Sequence, residues 1–291
     1  MKKTLVIGST VVDIILNVPS IPLRGDDVNI TSIDYRIGGC AYNVFIALSQ
    51  LHSPAILCSP VGIGIYGRMV REHLEKKSIP VFISLDEENG CCFCLVEPDG
   101  ERSFLSHHGA EYIFHKSWMN EIDISAIDDI FICGLEVEDP TGKEIIDFVN
   151  SHIEPGLYFA PGPRIMNIAR EKMEAILARR DADNRGPFLH LNGREALSFS
   201  GKENIEEAAS FLSEKTNNSL VITLGEKGSY CFSNSEKAGQ YIPAFPVKAV
   251  NTVGAGDTHC GTLIALIKRG MSLEKACLEA NRIASEKLQG I

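Results

Sequence analysis

Strand-like and helix-like segments alternate along most of this 291-residue chain, and that rhythm limits it to few folds. Short apolar runs bounded by turn residues read as strands at 4–8, 55–61, 79–85, 130–133, 156–159, 188–191 and 220–224. Stretches with helical spacing lie between them, at 41–51 and 66–77 and from about 255 and 272 onward. Another helix opens at Thr141-Gly142-Lys143-Glu144, the pattern of a capping box. Strands that are apolar along their whole length need cover on both faces. The expected fold is therefore α/β, with a largely parallel sheet between helices.

Two regions break the rhythm. Residues 27–37 alternate polar with apolar, as an exposed antiparallel strand does. Residues 91–96, the turn Pro98-Asp99-Gly100 and residues 101–106 read as a β-hairpin. Together they predict a small accessory sheet. An apolar sheet face left in water is a liability, so this sheet is expected to close over a ligand or to meet a second copy in a homodimer.

Charge and cysteine usage narrow the setting. Lys and Arg number 28 against 38 Asp and Glu, a net charge of −10. Nucleic acid and anionic membranes need a basic face and are poor partners for such a chain. No run approaches the ~18 apolar residues of a spanning helix. The apolar start is cut by Gly8-Ser9-Thr10 and Asp13 before it reaches signal-peptide length. The nine Cys are scattered and odd in number, which fits reduced thiols in the cytoplasm. Cys91-Cys92-Phe93-Cys94 holds a formal C-x-x-C in an extended segment without a second ligand pair. Small apolar strand residues are a simpler reading than a zinc or redox site.

The strongest local signal is Asn251-Thr252-Val253-Gly254-Ala255-Gly256-Asp257-Thr258-His259, after a strand-like stretch at 246–250 and before an apolar helix. Glycines at a helix start let backbone N–H groups converge, and the helix dipole adds positive charge there, which makes an anion site. Asp257 is then either a plain N-terminal cap or a carboxylate beside a phosphate pocket, placed to accept a hydroxyl proton in phosphoryl transfer. Thr223-Leu224-Gly225-Glu226-Lys227-Gly228 is a second pocket element or a hairpin turn, and it is not a Walker loop. Asn192-Gly193-Arg194-Glu195 follows a strand, at the end where open α/β sheets place ligands. Gly38-Gly39-Cys40-Ala41-Tyr42-Asn43 opens a helix. Asp13 stands inside an apolar run, where sugar-like hydroxyls would give it partners.

One run points elsewhere. Gly62-Ile63-Gly64-Ile65-Tyr66-Gly67 matches the dinucleotide fingerprint, with Asp86 roughly 20 residues on, as an NAD-dependent oxidoreductase would have. That fingerprint usually begins at the first strand of its domain, however, and here other elements precede it.

Taken in order, these segments resemble the ribokinase-like (PfkB) carbohydrate kinases over nearly the whole chain. The matching positions are Asp13, then Gly38, Gly39 and Asn43 of G-G-x-x-x-N, and the hairpin residues Asp99-Gly100-Glu101-Arg102. N-x-x-E follows at Asn192 and Glu195, T-x-G-x-x-G at Thr223, Gly225 and Gly228, and G-A-G-D at Gly254, Ala255, Gly256 and Asp257. The resemblance implies a ribokinase-like three-layer sandwich over 1–291, with a mostly parallel central sheet and a small β-sheet lid from about 18–37 and 91–108. It implies transfer of the ATP γ-phosphoryl group to a hydroxyl of a sugar or, as the alternative, of a nucleoside. Asp257 would be the catalytic base, and the amides around Gly254, Ala255 and Gly256 would hold the transferred group. Asn192 and Glu195 would organise phosphate and Mg²⁺ through water. Thr223, Gly225, Gly228 and Asn281 would line the nucleotide site, and Asp13, Gly38, Gly39, Asn43 and Glu136 the acceptor site. The glycines at 62–67 then fall on the family's G-x-D-x-x-G segment and lose their claim to NAD.

The chain departs from the family pattern in four places. Gly64 and Ala160 stand where the family carries Asp, which bears on the identity of the acceptor. Asn251 replaces the Asp that opens D-T-x-G-A-G-D, so the K⁺ activation that this carboxylate supports in relatives is expected to be weak or absent. The chain stops at Ile291, earlier than similar proteins, and a last strand or helix is expected to be missing.

Overall fold

Leu5, Val6 and Ile7 are wholly buried, and they enter two different cores. Successive side chains of a strand point to opposite faces, so Leu5 and Ile7 pack on one side while Val6 packs on the other. The computed structural model describes residues 2–247 and 254–288. Its elements begin with β1 (Lys3–Ile7), β2 (Val11–Asn17), β3 (Ser32–Gly38), α1 (Cys40–Gln50), β4 (Ala55–Cys58), β5 (Pro60–Ile63) and α2 (Gly64–Lys76). Then come β6 (Ile83–Glu88), β7 (Cys91–Val96), β8 (Arg102–His107), α3 (Lys116–Met119), β9 (Ile127–Cys133), α4 (Gly134–Glu138), α5 (Gly142–Ser151) and β10 (Gly156–Ala160). The rest is α6 (Arg170–Leu177), β11 (Phe188–Asn192), α7 (Gly193–Ser200), α8 (Ile205–Thr216), β12 (Leu220–Thr223), β13 (Ser229–Ser233), β14 (Ala238–Ile242), α9 (Ala255–Lys268) and α10 (Leu273–Leu288).

The main sheet runs β14-β13-β12-β11-β10-β9-β1-β4. From β12 to β4 every pairing is parallel, and β13 and β14 add an antiparallel edge. Ile130, Ile132 and Phe159 share one core with α5, α6 and α8, whereas Phe131, Tyr158 and Val221 share the other with α1, α9 and α10. Each such large side chain contributes roughly 1.5–3 kcal/mol by leaving water. Three layers result, as expected.

The second sheet runs β3-β2-β7-β8, with β2 antiparallel to β3 and parallel to β7, and β7 antiparallel to β8. Gly100 makes the hairpin turn at φ 89°, where glycine alone is unstrained. Two details differ from expectation. Residues 18–31 contain no strand, so the outer strand begins only at Ser32, and β2 is a member of this sheet. Asp13 therefore lies within β2, in the apolar run that forms this strand.

Three further expectations shift. The strand read at 55–61 breaks at Ser59: β4 stays in the main sheet, and β5 pairs with β6 apart from it. The hairpin β13–β14 and helix α8 lie where no element was expected. Thr141 does not form a capping box. Its Oγ1 donates to Tyr112 O (2.8 Å) and accepts from Phe114 N (3.1 Å), while Glu144 accepts from Lys116 N (2.9 Å). Both side chains tie the preceding loop to α5 instead. No helix among the described residues is long and apolar enough to cross a membrane.

Candidate active site

Gly254, at a left-handed φ of 71°, turns the chain into α9. Two cavities meet at this turn. Gly254 and Asp257 line a cavity of about 630 Å³, and Ala255 and Gly256 line one of about 800 Å³. A Cβ built on Gly256 would meet nothing within 4 Å, so this side of the first turn is open.

The smaller cavity gathers Asp13, Gly39, Asn43 and Asp257. Asn43 Nδ2 donates to Asp257 Oδ2 at 2.9 Å. Burial raises the pKa of Asp257, and this hydrogen bond and the Lys287 ammonium pull it back. Burial, then repulsion from Asp257, pushes Asp13 up to about 7, against attraction from Lys287. Gly38 stands one layer behind the wall. A Cβ there would lie 2.0 Å from Asp13 Oδ2, so the glycine leaves room for that carboxylate. Glu136 is also behind the wall and wholly buried, and its Oε1 accepts from Ser9 N at 2.8 Å. Burial raises its pKa as well.

The larger cavity takes in Thr223, Gly225, Gly228 and Asn281. The glycine-rich turn has both of its expected roles, joining β12 to β13 as a hairpin turn while forming a cavity wall. Asn281 is already committed. Its Nδ2 donates to Ile242 O (3.2 Å) and Pro243 O (3.1 Å), leaving Oδ1 to accept from His259 Nε2 (3.1 Å). His259 Nδ1 then accepts from His190 Nε2 at 2.9 Å. Burial keeps both rings neutral, lowering His259 to about 4. Asn192 and Glu195 line neither cavity. They form the capping box of α7: Asn192 Oδ1 accepts from Glu195 N (2.9 Å), and Glu195 Oε2 accepts from Asn192 N (3.0 Å).

Several residues of the site were missed in the sequence. Cys40 and Cys133 wall the smaller cavity, and with Glu136 their ligand atoms lie within 4.8 Å of one another. The one available signal was Cys40's place inside the G-G-C-A-Y-N run. Lys287 Nζ donates to Gly254 O (3.2 Å) and Thr258 Oγ1 (2.8 Å), and no motif announced it. Asn251 lies outside the described residues, as does most of the strand expected at 246–250.

Residues 1–290 match the model of the pfkB family carbohydrate kinases. The chain belongs to that family. It is 31% identical over 289 residues to the uncharacterized sugar kinase YegV of Escherichia coli (strain K12), covering 98% of this chain and 88% of that protein. It resembles a Burkholderia thailandensis nucleoside kinase in complex with inosine, with TM-score 0.79, 19% identity, and 98% and 91% of the two chains covered. It also resembles a Cryptococcus neoformans var. grubii ribokinase in complex with ADP, with TM-score 0.75, 22% identity, and 99% and 97% covered. The fold is ribokinase-like, and the PfkB kinase is a phosphotransferase with an alcohol group as acceptor.

This corrects the dinucleotide reading. Gly62, Gly64 and Gly67 line neither cavity. A Cβ on Gly62 would lie 2.2 Å from Glu87 O, and one on Gly67 would lie 2.3 Å from Gly62 O. The glycines of that run let β5, β6 and α2 pack backbone to backbone.

Proposed function

We propose that this PfkB kinase transfers the γ-phosphoryl group of ATP to a hydroxyl of a sugar held in the smaller cavity. The observation that carries the reading is the partition: one helix start serves both cavities, with Gly254 and Asp257 lining one and Ala255 and Gly256 lining the other. Asp257 takes the acceptor's proton, while the first-turn amides of Gly254, Ala255 and Gly256 hold the charge on the phosphoryl group. Asp13, Gly39 and Asn43 hold the acceptor's other hydroxyls, supported from behind by Gly38 and Glu136. The ring formed by Thr223, Gly225, Gly228 and Asn281 accommodates the nucleotide.

Kinases of this family generally use ATP with Mg²⁺. The residues present suit such an ion. Mg²⁺ keeps several waters and binds mainly through substrate phosphates, so it needs few protein ligands. The charge of Asp257 is felt at Glu195, which supports a role for this carboxylate, with Asn192, in orienting those waters from behind the cavities. Bound Mg²⁺ neutralises charge on the phosphates.

A nucleoside is the second reading for the acceptor, favoured by Phe104, whose ring lines the smaller cavity and offers a stacking surface for a base. The accessory strands serve as a lid, with a homodimer through them as the other use of their exposed face. The cytoplasm is the compartment that suits ATP and nine free thiols. Asn251 lacks a formal charge, so K⁺ at constant ionic strength should change kcat by less than about two-fold when it replaces a bulky organic cation. A several-fold saturable rise would show that carbonyls alone suffice. The decisive experiment is a screen for acceptor-dependent ADP formation over sugars and nucleosides with Mg²⁺. A panel without turnover would overturn the proposal.

A further inference from the structure

We propose that Lys287 is the fixed counter-cation of the transfer site, balancing the carboxylates of Asp257 and Asp13 and pinning the first turn of α9. It is a positioning residue, and the proposal rests on the kinase reading above. Lys287 lies at the far end of α10, yet its ammonium reaches two acceptors in one turn of another helix: Gly254 O at 3.2 Å and Thr258 Oγ1 at 2.8 Å. Gly254 O also accepts from Thr258 N at 2.9 Å, so the ammonium closes a small ring around the turn that faces both cavities.

Gly254 is what lets the cation in. A Cβ there would sit 3.0 Å from Lys287 Nζ and 2.7 Å from Asn43 Nδ2. The bare Cα leaves room for the ammonium beside the Asn43 amide, and that amide donates to Asp257. A buried ammonium is costly unless it is paired. Burial lowers the pKa of Lys287, and the two carboxylates raise it again, which fits a charge held in place by its neighbours.

The site needs such a charge. Asp257 acts on Asp13 from β2, Cys40 from α1, Cys133 from β9, Glu195 from α7 and Cys260 from α9, and it makes each harder to ionise. Lys287 is the cation that lowers both Asp257 and Asp13, while Arg102 and Arg164 line the same cavity. A base must be ionised before it can take a proton, and a polyanionic nucleotide arriving at the same helix start would push Asp257 further toward its protonated form. An ammonium that is part of the chain opposes that push in every state of the cycle. It also holds the amides of the turn without any reorganisation during transfer.

The test compares Lys287→Met with Lys287→Arg on the full chain. With an acceptor found in the screen, the Met variant should lose roughly 30-fold or more in kcat, with KM for ATP within a few-fold. The acid limb of its kcat–pH profile should move up by about one unit. The Arg variant should keep the position of that limb, and millimolar methylammonium should restore part of the kcat lost in Lys287→Ala. A readout free of turnover is the carboxyl titration of Asp257 in ¹³C-aspartate-labelled protein, assigned by its loss in Asp257→Asn. That titration should shift upward in the Met variant even if no acceptor is ever found, which separates this proposal from the kinase reading. An Asp257 titration identical in wild type and Lys287→Met would overturn it. So would a loss of kcat with an unmoved acid limb and no amine rescue.

Discussion

Asp257 and Asp13 line the same cavity, and burial raises the pKa of both. In the proposed mechanism Asp257 meets the acceptor hydroxyl, so its loss is felt in the transition state and not in nucleotide binding. Asp257→Asn should lower kcat by roughly 10²–10⁴-fold while ATP affinity, read by calorimetry, stays within a few-fold. Substantial turnover in that variant would remove it from the role of base. Asp13 gives a stability prediction. Its pKa rises from 3.8 to about 7 on folding, so the folded chain binds the extra proton and stability falls as pH rises through that window. Asp13→Asn removes the ionisable group. The substituted, ligand-free protein should be more stable than wild type at pH 8, by on the order of 2–4 kcal/mol, with the gap closing toward pH 4. Urea unfolding at several pH values measures this, and a gap that does not depend on pH would mean that Asp13 titrates normally.

At the scale of elements, α9 is fixed at both ends. Lys287 and Asn43 meet its first turn, and at its last turn Lys268 Nζ, nearly without exposure, pairs with Asp128 and with Asp129 (3.6 Å) at the start of β9 and donates to Thr4 Oγ1 (3.3 Å). Lys268→Met leaves Asp129 facing a neutral side chain, and Asp129 is already pushed up to about 6 by burial and by Asp128. The loss of stability should be about 2–3 kcal/mol at pH 8 and smaller at pH 5, where Asp129 takes a proton. Equal losses at both pH values would argue for lost packing instead. Elements such as β1, β9 and β12 were legible in the sequence because a strand covered on both faces is apolar throughout. The hairpin β13–β14 was not, since an edge strand such as Ala238–Ile242 is mostly exposed and carries no continuous apolar signal. The two x-x-E motifs show the limit well. Thr141 with Glu144 read as a capping box, but the loop at 112–116 claims that pair, and Asn192 with Glu195, read as a ligand motif, cap α7 besides the role proposed for them. The glycine and Asp motifs that line the two cavities were legible because tight turns and carboxylates within apolar runs stand out in a sequence. Lys287 and Cys133 were not, because they reach the site only through the packing of distant elements.

Across the whole molecule, the main sheet and its helices hold both cavities, while the small sheet stands over one of them. Pairing across this sheet sets Arg36, Asp13, Cys92 and Ser106 side by side, and Cys94 beside Phe104. Asp13, Cys92, Phe104 and Ser106 all line the smaller cavity, so one face of the small sheet walls the cavity proposed for the acceptor. The edges of the other face remain apolar and open, with Tyr35 53% and Leu105 62% exposed. A sheet that carries the proposed acceptor-binding Asp13 on its inner face should respond to the acceptor directly, because a hydroxyl bound to Asp13 is bound to β2. Acceptor binding should therefore slow amide exchange in β7 and β8 by several-fold, with β9 and β10 unchanged, since their amides already pair within the main sheet. The effect should be the same at low and high protein concentration if the lid closes over the ligand. Protection that appears without acceptor and grows with protein concentration would instead assign the outer face to a second copy of the chain. Exchange that responds to neither acceptor nor concentration would leave the small sheet with no role in closure or assembly.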